Sequence, residues 1–401
     1  MRVVGYLLLM VIPVIGCKKP YNPPATAAKN SYLVVEGVIN AGADSTNITL
    51  SRTVNLSSKT TVNPELHAIV AIQSDQNVTY PLTETTKGNY VCAGLNLSST
   101  HNYRLSVKTS NNEEYLSDYV PVKNSPPIDS VTYDTKGNSV TPGLNVFVNT
   151  HDPKNNTTYY RWEYQETWII YSSFNSQYVS NGDTILPRPI SDQIYQCWQT
   201  DSSSTIIVNS SAKLASDVIA NNPIAFVNST SEKLANGYSI LVRQFALTAD
   251  AYTFWTNLKK NTEQLGSIFD AQPSQINGNI HCTTNPAEPV IGYLSIGIPS
   301  TQRIFIENRV LPAWLPINSQ TCPLNSFTYS HAATNLGEPP VNWVDKYLNY
   351  DSSTFTGPLY LPTMAEYAQG SNTILGYDGS TPICVDCTLR GTNKQPAFWK
   401  Y

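Results

Sequence analysis

Charge is scarce in this 401-residue chain: Asp, Glu, Lys and Arg make up 13% of it, and the formal net charge is −4. Without a basic stripe to neutralise phosphates, nucleic acid is excluded as a partner. The short motifs that carry common chemistries are also missing. There is no G-x-S-x-G elbow, no H-E-x-x-H, no P-loop and no G-x-G-x-x-G, so nucleophilic, metal-dependent and nucleotide chemistries lose their usual signatures. The five histidines (His67, His101, His151, His281 and His331) are scattered, and His281 beside Cys282 is the only near-cluster, which falls short of a metal site. No catalytic residue, metal or cofactor is expected.

What the chain does have is an address. Tyr6 to Ile15 is an apolar core behind the positive charge of Arg2, too short for a helical span, which needs about 20 apolar residues. Residues 1–16 therefore read as a signal peptide. The junction Val14-Ile15-Gly16-Cys17 has the form of a bacterial lipobox, in which a small residue before cysteine permits cleavage and leaves Cys17 as the acylated first residue. A diacylglyceryl group would anchor the protein to the outer membrane, because each buried methylene contributes about 0.8 kcal/mol. Lys18 to Ala28 holds three prolines and no hydrophobic periodicity, so residues 17–30 read as an extended tether.

The mature chain is long enough for two or three domains at about 150 residues each. Its 25 tyrosines and 27 prolines, with abundant Asn, Ser and Thr, suit an exported β-rich protein. The expected fold is all-β, with two tandem immunoglobulin-like β-sandwich domains. Residues 31–125 carry about seven short strands with dense turn signals, and in Tyr103 to Lys108 every second residue is apolar. Asn124-Ser125-Pro126-Pro127 marks a boundary. Residues 126–401 form the second sandwich, with strands at 128–133, 144–150, 159–171, 194–198, 205–209, 238–247, 289–298 and 302–311, and a polar excursion over 172–192. A helix is inserted at 248–265: Thr248 caps it, Asp250 sits in its first turn, and Ala251, Phe254, Trp255 and Leu258 recur at helical spacing. From Pro312 onward a long irregular segment wraps this domain, with a short helical turn expected at Met364 to Ala368.

Setting Cys17 aside, six of the seven cysteines remain, at 92, 197, 282, 322, 384 and 387, enough for three disulfides in any of 15 connectivities. Cys384-x-x-Cys387 lacks the following helix that activates a redox thiol, so bonds to distant partners are expected instead. Two aromatic patches are candidate ligand contacts. On one strand Trp162, Tyr164 and Trp168 share a face, with Tyr171 nearby; in the C-terminal wrap Trp343 and Tyr347 are close together. Such rings could stack on a glycan or peptide, or could simply fill the core. Glu163 and Glu166 are the carboxylate pair that a glycan-active hydrolase would need.

Three stretches together resemble an uncharacterised lipoprotein family of Bacteroidetes known only as domain of unknown function four-two-four-nine. They are the lipobox, a helix-centred block, and the ending Cys384-x-x-Cys387 with Gly391 and Pro396-Ala397-Phe398-Trp399. The block runs from Gln244 through Ala251-Tyr252 and Phe254-Trp255 to Gly266–Asp270, Gly278-Asn279-Ile280 and Gly292-Tyr293. The resemblance covers essentially the whole mature chain. It implies an outer-membrane lipoprotein acting as a non-enzymatic binding or accessory component beside a TonB-dependent transporter barrel, with a structural or adhesive envelope protein as the alternative. The body would face the cell surface rather than the periplasm, although Lys18-Lys19 stand where surface export favours acidic residues. Cys197, Cys322, Cys384 and Cys387 map onto the family's cysteines. Cys92 and Cys282 fall outside its pattern and are expected to form an extra bond between the domains.

Overall fold

The computed structural model describes residues 31–54, 62–138, 140–263, 278–315, 321–330, 341–349 and 359–400. The leader, Cys17, the tether and the Gly266–Asp270 motif lie outside the described residues. The described chain is mostly strand, as expected of an all-β protein. No helix among the described residues is long and apolar enough to cross a membrane.

The N-terminal body contains β1 (Leu33–Asn40), β2 (Thr46–Arg52), β3 (Asn63–Pro64), β4 (Ile69–Ser74), β5 (Thr79–Thr86), β6 (Asn89–Cys92), β7 (Asn102–Lys108), β8 (Glu114–Ser117) and β9 (Val120–Pro121). Alternation puts Tyr103, Leu105 and Val107 of β7 in one core with Leu33, Val35, Ile48, Leu50 and Ile72; each such side chain stabilises by about 1.5–3 kcal/mol. β5 pairs with β4 through Thr79–Leu82 and with β6 through Thr83–Thr86. That continuity makes one hydrogen-bonded path of the whole body.

In the second body, β10 (Ile128–Asp134) and β11 (Gly143–His151) precede β12 (Tyr159–Tyr171), the hairpin β13 (Tyr178–Ser180) and β14 (Ile185–Pro187), β15 (Gln196–Ser202), β16 (Ile207–Ser210), β17 (Val218–Asn228) and β18 (Gly237–Ala246). A three-stranded sheet β10-β11-β17 packs on a larger sheet in which β12 and β18 are central. The strand β17 escapes the sequence reading because Asn221-Asn222-Pro223 looks like a turn. It is tolerated at this sheet edge, where two register shifts against β11 absorb the irregularity.

Helix α1 (Ala249–Glu263) follows, and the Thr248 hydroxyl accepts the Ala251 N–H at 3.2 Å as its cap. The chain then does something the boundary at residue 125 does not anticipate. β19 (Ile280–Cys282) pairs with β8 and β20 (Ile296–Gly297) with β1, so this return segment completes the N-terminal sheet before β21 (Ser300–Glu307) rejoins β18. Its apolar residues Ile280, Val290, Leu294 and Ile296 announce burial but not in which core. The run expected as one strand over 289–298 is mostly irregular, with Ile291 bridging Val34 and Gly292 at a φ of +142°. A Cβ on Gly292 would sit 2.3 Å from the Val35 carbonyl oxygen, so the close approach requires glycine.

The C-terminal region forms a small sheet of β22 (Asn325–Thr328), β23 (Leu361–Tyr367) and β24 (Ile374–Ser380) over its own aromatic cluster. The stretch 364–368, expected as a helical turn, is therefore largely strand, since pairing with β24 satisfies its backbone. Two disulfides tie this region down, Cys197–Cys387 and Cys322–Cys384, each with 5.7 Å between Cα atoms. The C-x-x-C cysteines thus bond away from each other. The extra bond expected between Cys92 and Cys282 is not formed: both are free thiols, on β6 and β19, which stand far apart in the strand order of the same sheet.

Candidate functional site

The site is built around β12, whose two faces meet different surroundings. Its even positions enter the core. Trp162 is 1% exposed and donates through Nε1 to Gln244 Oε1 at 3.0 Å. Tyr164 packs against the same core, and Trp168 is buried beneath Lys233, whose Nζ lies 4.8 Å from the ring centroid. Glu166 is buried as well, accepting from the Tyr238 hydroxyl at 2.6 Å and pairing with Lys233 at 2.5 Å. Trp162, Tyr164 and Trp168 therefore act as packing, not as an open stacking surface. Tyr171 lies on the opposite face, exposed, 5.2 Å from the ring of Tyr195. Trp343 and Tyr347 pack on the C-terminal cluster, Tyr347 at 5.5 Å from Phe327. Glu163 and Glu166, on opposite faces, do not converge on one cleft.

The odd positions of β12 carry what the sequence reading passed over. Arg161 is 8% exposed, and its Nη1 lies 2.8 Å from Glu163 Oε1. Its guanidinium carbon stands 4.3 Å from the ring centroid of Trp255 on α1 and 4.9 Å from that of Phe245 on β18. Burial lowers the pKa of this group, and Glu163 offsets only part of that shift. Arg161 Nε is buried without a hydrogen-bond partner. Arg243 on β18 stands directly opposite Glu163 in the strand register and is half-buried. Diagonally beyond it, Arg303 on β21 donates to Ser239 Oγ at 3.0 Å and lies under the ring of Phe398 at 3.5 Å. Burial, and then the charge of Arg243, lower the Arg303 pKa.

Arg161, Glu163 and Arg243, with Phe245, Trp255 and Leu258, form one wall of a cleft of about 840 Å³ between the two bodies, and Arg303 lies outside its lining. The facing wall is β1 from Val34 to Val38 with Gly292 and Tyr293 of the return segment. Phe254 meets Tyr293 at 5.1 Å, closing the cleft's aromatic end. Among the described residues no group of three or more metal-ligating side chains comes together. A signal was present in the sequence: Tyr159, Arg161, Glu163 and Gln165 alternate with apolar neighbours, marking a second, partly polar face that something must cover.

The motif residues of the helix-centred block hold this junction. Gln244 is fully buried; it donates to the Pro126 carbonyl at 2.9 Å and to Thr150 Oγ1 at 3.0 Å while accepting from Trp162. Ser125 Oγ donates to the Gln244 carbonyl at 2.9 Å and accepts the Ala246 N–H at 2.8 Å. Asn279 exchanges two hydrogen bonds with the Leu294 backbone, at 3.0 and 2.8 Å, folding the return segment on itself.

The sequence model of a family described as Domain of unknown function (DUF4249) matches residues 18–303, which take in both bodies, α1 and the return segment. No curated protein matches the chain.

Proposed function

We propose, from the premise that the chain belongs to the DUF4249 family, that it is an outer-membrane lipoprotein serving a TonB-dependent import system as a non-enzymatic binding or accessory component. Acyl chains on Cys17 anchor it, and the body stands beside a transporter barrel as two immunoglobulin-like sandwiches. One observation carries the binding role. The cleft between the bodies, about 840 Å³, falls within the roughly 300–1,000 Å³ of small-ligand sites, and it combines apolar walls with a few placed polar groups. On this reading the ligand is captured at the junction, where a shift of one body against the other would be felt by both.

The test is made on native membranes. Mild-detergent purification of the full chain should bring a β-barrel transporter with it, and the Cys17→Ser variant should leave the particulate fraction. Recovery of the wild-type protein as a lone monomer would overturn the accessory role.

A further inference from the structure

The outer face of the central sheet in the second body carries three guanidinium groups in a diagonal row, Arg161, Arg243 and Arg303, on three adjacent strands. Beside them stands one carboxylate, Glu163, and it is engaged by Arg161. Both ends of the row are already covered: Trp255 and Phe245 lie against Arg161, and Phe398 lies against Arg303. The middle group is different. Arg243 lines the cleft, half-buried, and among the described residues it has no ion pair. Glu36 and Asp44 also line the cleft, and neither pairs with an arginine.

Arg161 is neutralised by Glu163, but Arg243 and Arg303 are partly buried with no carboxylate in ion-pair range among the described residues. Such cations raise the free energy of the empty site, and a bound anion would relieve that cost. Arg161 Nε is an independent sign of the same shortfall, being a buried donor with no acceptor. Trp255 seals Arg161, so the accessible fork belongs to Arg243. The same cleft is lined by Phe254, Trp255, Leu258, Val38 and Tyr293, which suit an apolar or aromatic group.

We infer that the cleft takes a ligand bearing one carboxylate on an apolar or aromatic body, such as the free C-terminus of a short peptide, with Arg243 as the anchor of the carboxylate. This rests on the capture reading above. A carboxylate is favoured over a phosphate because Glu36, Asp44 and Glu163 line the same cleft and would oppose a dianion more than a monoanion. A planar guanidinium also matches a carboxylate through two parallel hydrogen bonds.

The experiment is calorimetric titration of the full chain in detergent with three probes: N-acetylphenylalanine, its C-terminal amide, and phenyl phosphate. The acid should bind saturably and the amide about tenfold or more weakly, the size of one charge-assisted contact. Phenyl phosphate should bind more weakly than the acid. Arg243→Gln should abolish the preference of acid over amide, Arg243→Lys should keep part of it, and Trp255→Ala should weaken acid and amide alike. Equal binding of acid and amide, both weakened by Trp255→Ala, would overturn the carboxylate anchor and leave the cleft as a capture site. Tighter binding of phenyl phosphate than of the acid would also overturn the assignment. Binding of no probe, or binding indifferent to both Arg243→Gln and Trp255→Ala, would overturn the anchor and the capture reading together.

Discussion

At the junction between the two bodies no disulfide exists among the described residues, whereas the C-terminal region is tied to the second body by Cys197–Cys387 and closed on itself by Cys322–Cys384. The junction depends on particular side chains: Gln244 and Ser125 at the crossing, Asn279 in the return segment, and Gly292 against β1. Each satisfies buried polar groups or permits a close approach, so few replacements would serve. The C-terminal region is held instead by covalent closure over an aromatic cluster, which constrains the chain wherever shape and volume roughly fit. The matched family stretch ends at residue 303, inside β21, so it takes in the junction and stops before the stapled wrap.

Removing the staple should give one of the two largest effects. The bond Cys197–Cys387 spans 190 residues of sequence, and a loop of that size gives about 2–5 kcal/mol of stabilisation. The double variant Cys197→Ser, Cys387→Ser should lower stability by that order in urea unfolding, and hydrogen exchange should show the loss centred on β15 and the wrap. If the junction amides of β18 and β20 lose protection to the same extent, the two regions are not independently held.

Gln244→Leu tests the other side of the comparison. It strands the indole N–H of Trp162 and the Pro126 carbonyl in a buried setting, at about 1–3 kcal/mol for each unsatisfied group. Total destabilisation of roughly 2–6 kcal/mol is expected, with exchange loss across the junction and the disulfide-held wrap intact. Retained protection at the junction would show that the polar clamp is dispensable.

How far each region could be read beforehand follows from the same physics. The limits of β12 and the cap of α1 are local signals of periodicity and hydrogen-bonding chemistry, and residues 159–171 fold as the strand their pattern indicates. That Cys384 and Cys387 reach distant partners was legible from the chain around them. Which core receives the return segment was not, since Ile280 or Leu294 would serve equally well in either. The cleft was missed for a related reason. Trp162 and Trp168 drew attention as large rings, but size favours burial, and the functional candidates Arg161 and Arg243 sit on the opposite parity, where only the three-dimensional approach of β1 and α1 makes a cavity. Among the C-terminal strands, β22 was illegible because its partner β24 lies far along a polar and proline-rich sequence. Strands β23 and β24 are joined by a short turn but carry too little apolar alternation to announce themselves.

The smallest expected effect concerns acid. Arg52 pairs within the N-terminal body with Glu65 at 2.6 Å and Glu113 at 2.9 Å, and reaches the return segment through Glu288 at 3.4 Å. Burial pushes the Glu113 carboxyl up, but hydrogen bonds from Arg52, Asn111 and Tyr115 outweigh it and hold the pKa below the ordinary 4.5. A carboxyl depressed on folding contributes stability that is fully present above its unfolded pKa and is lost as pH falls through the folded value. Glu113 is about one-third exposed, so the contribution is less than about 1 kcal/mol. Between neutral pH and pH 5 the stability difference between wild type and Glu113→Gln should stay constant, and below about 4.5 it should shrink. Disulfides do not titrate in this range, so exchange protection near β19 and Glu288 should fall on acidification before that of the wrap does. Acid loss appearing first in β22 to β24 would reverse the assignment of which region is held by charge and which by sulfur.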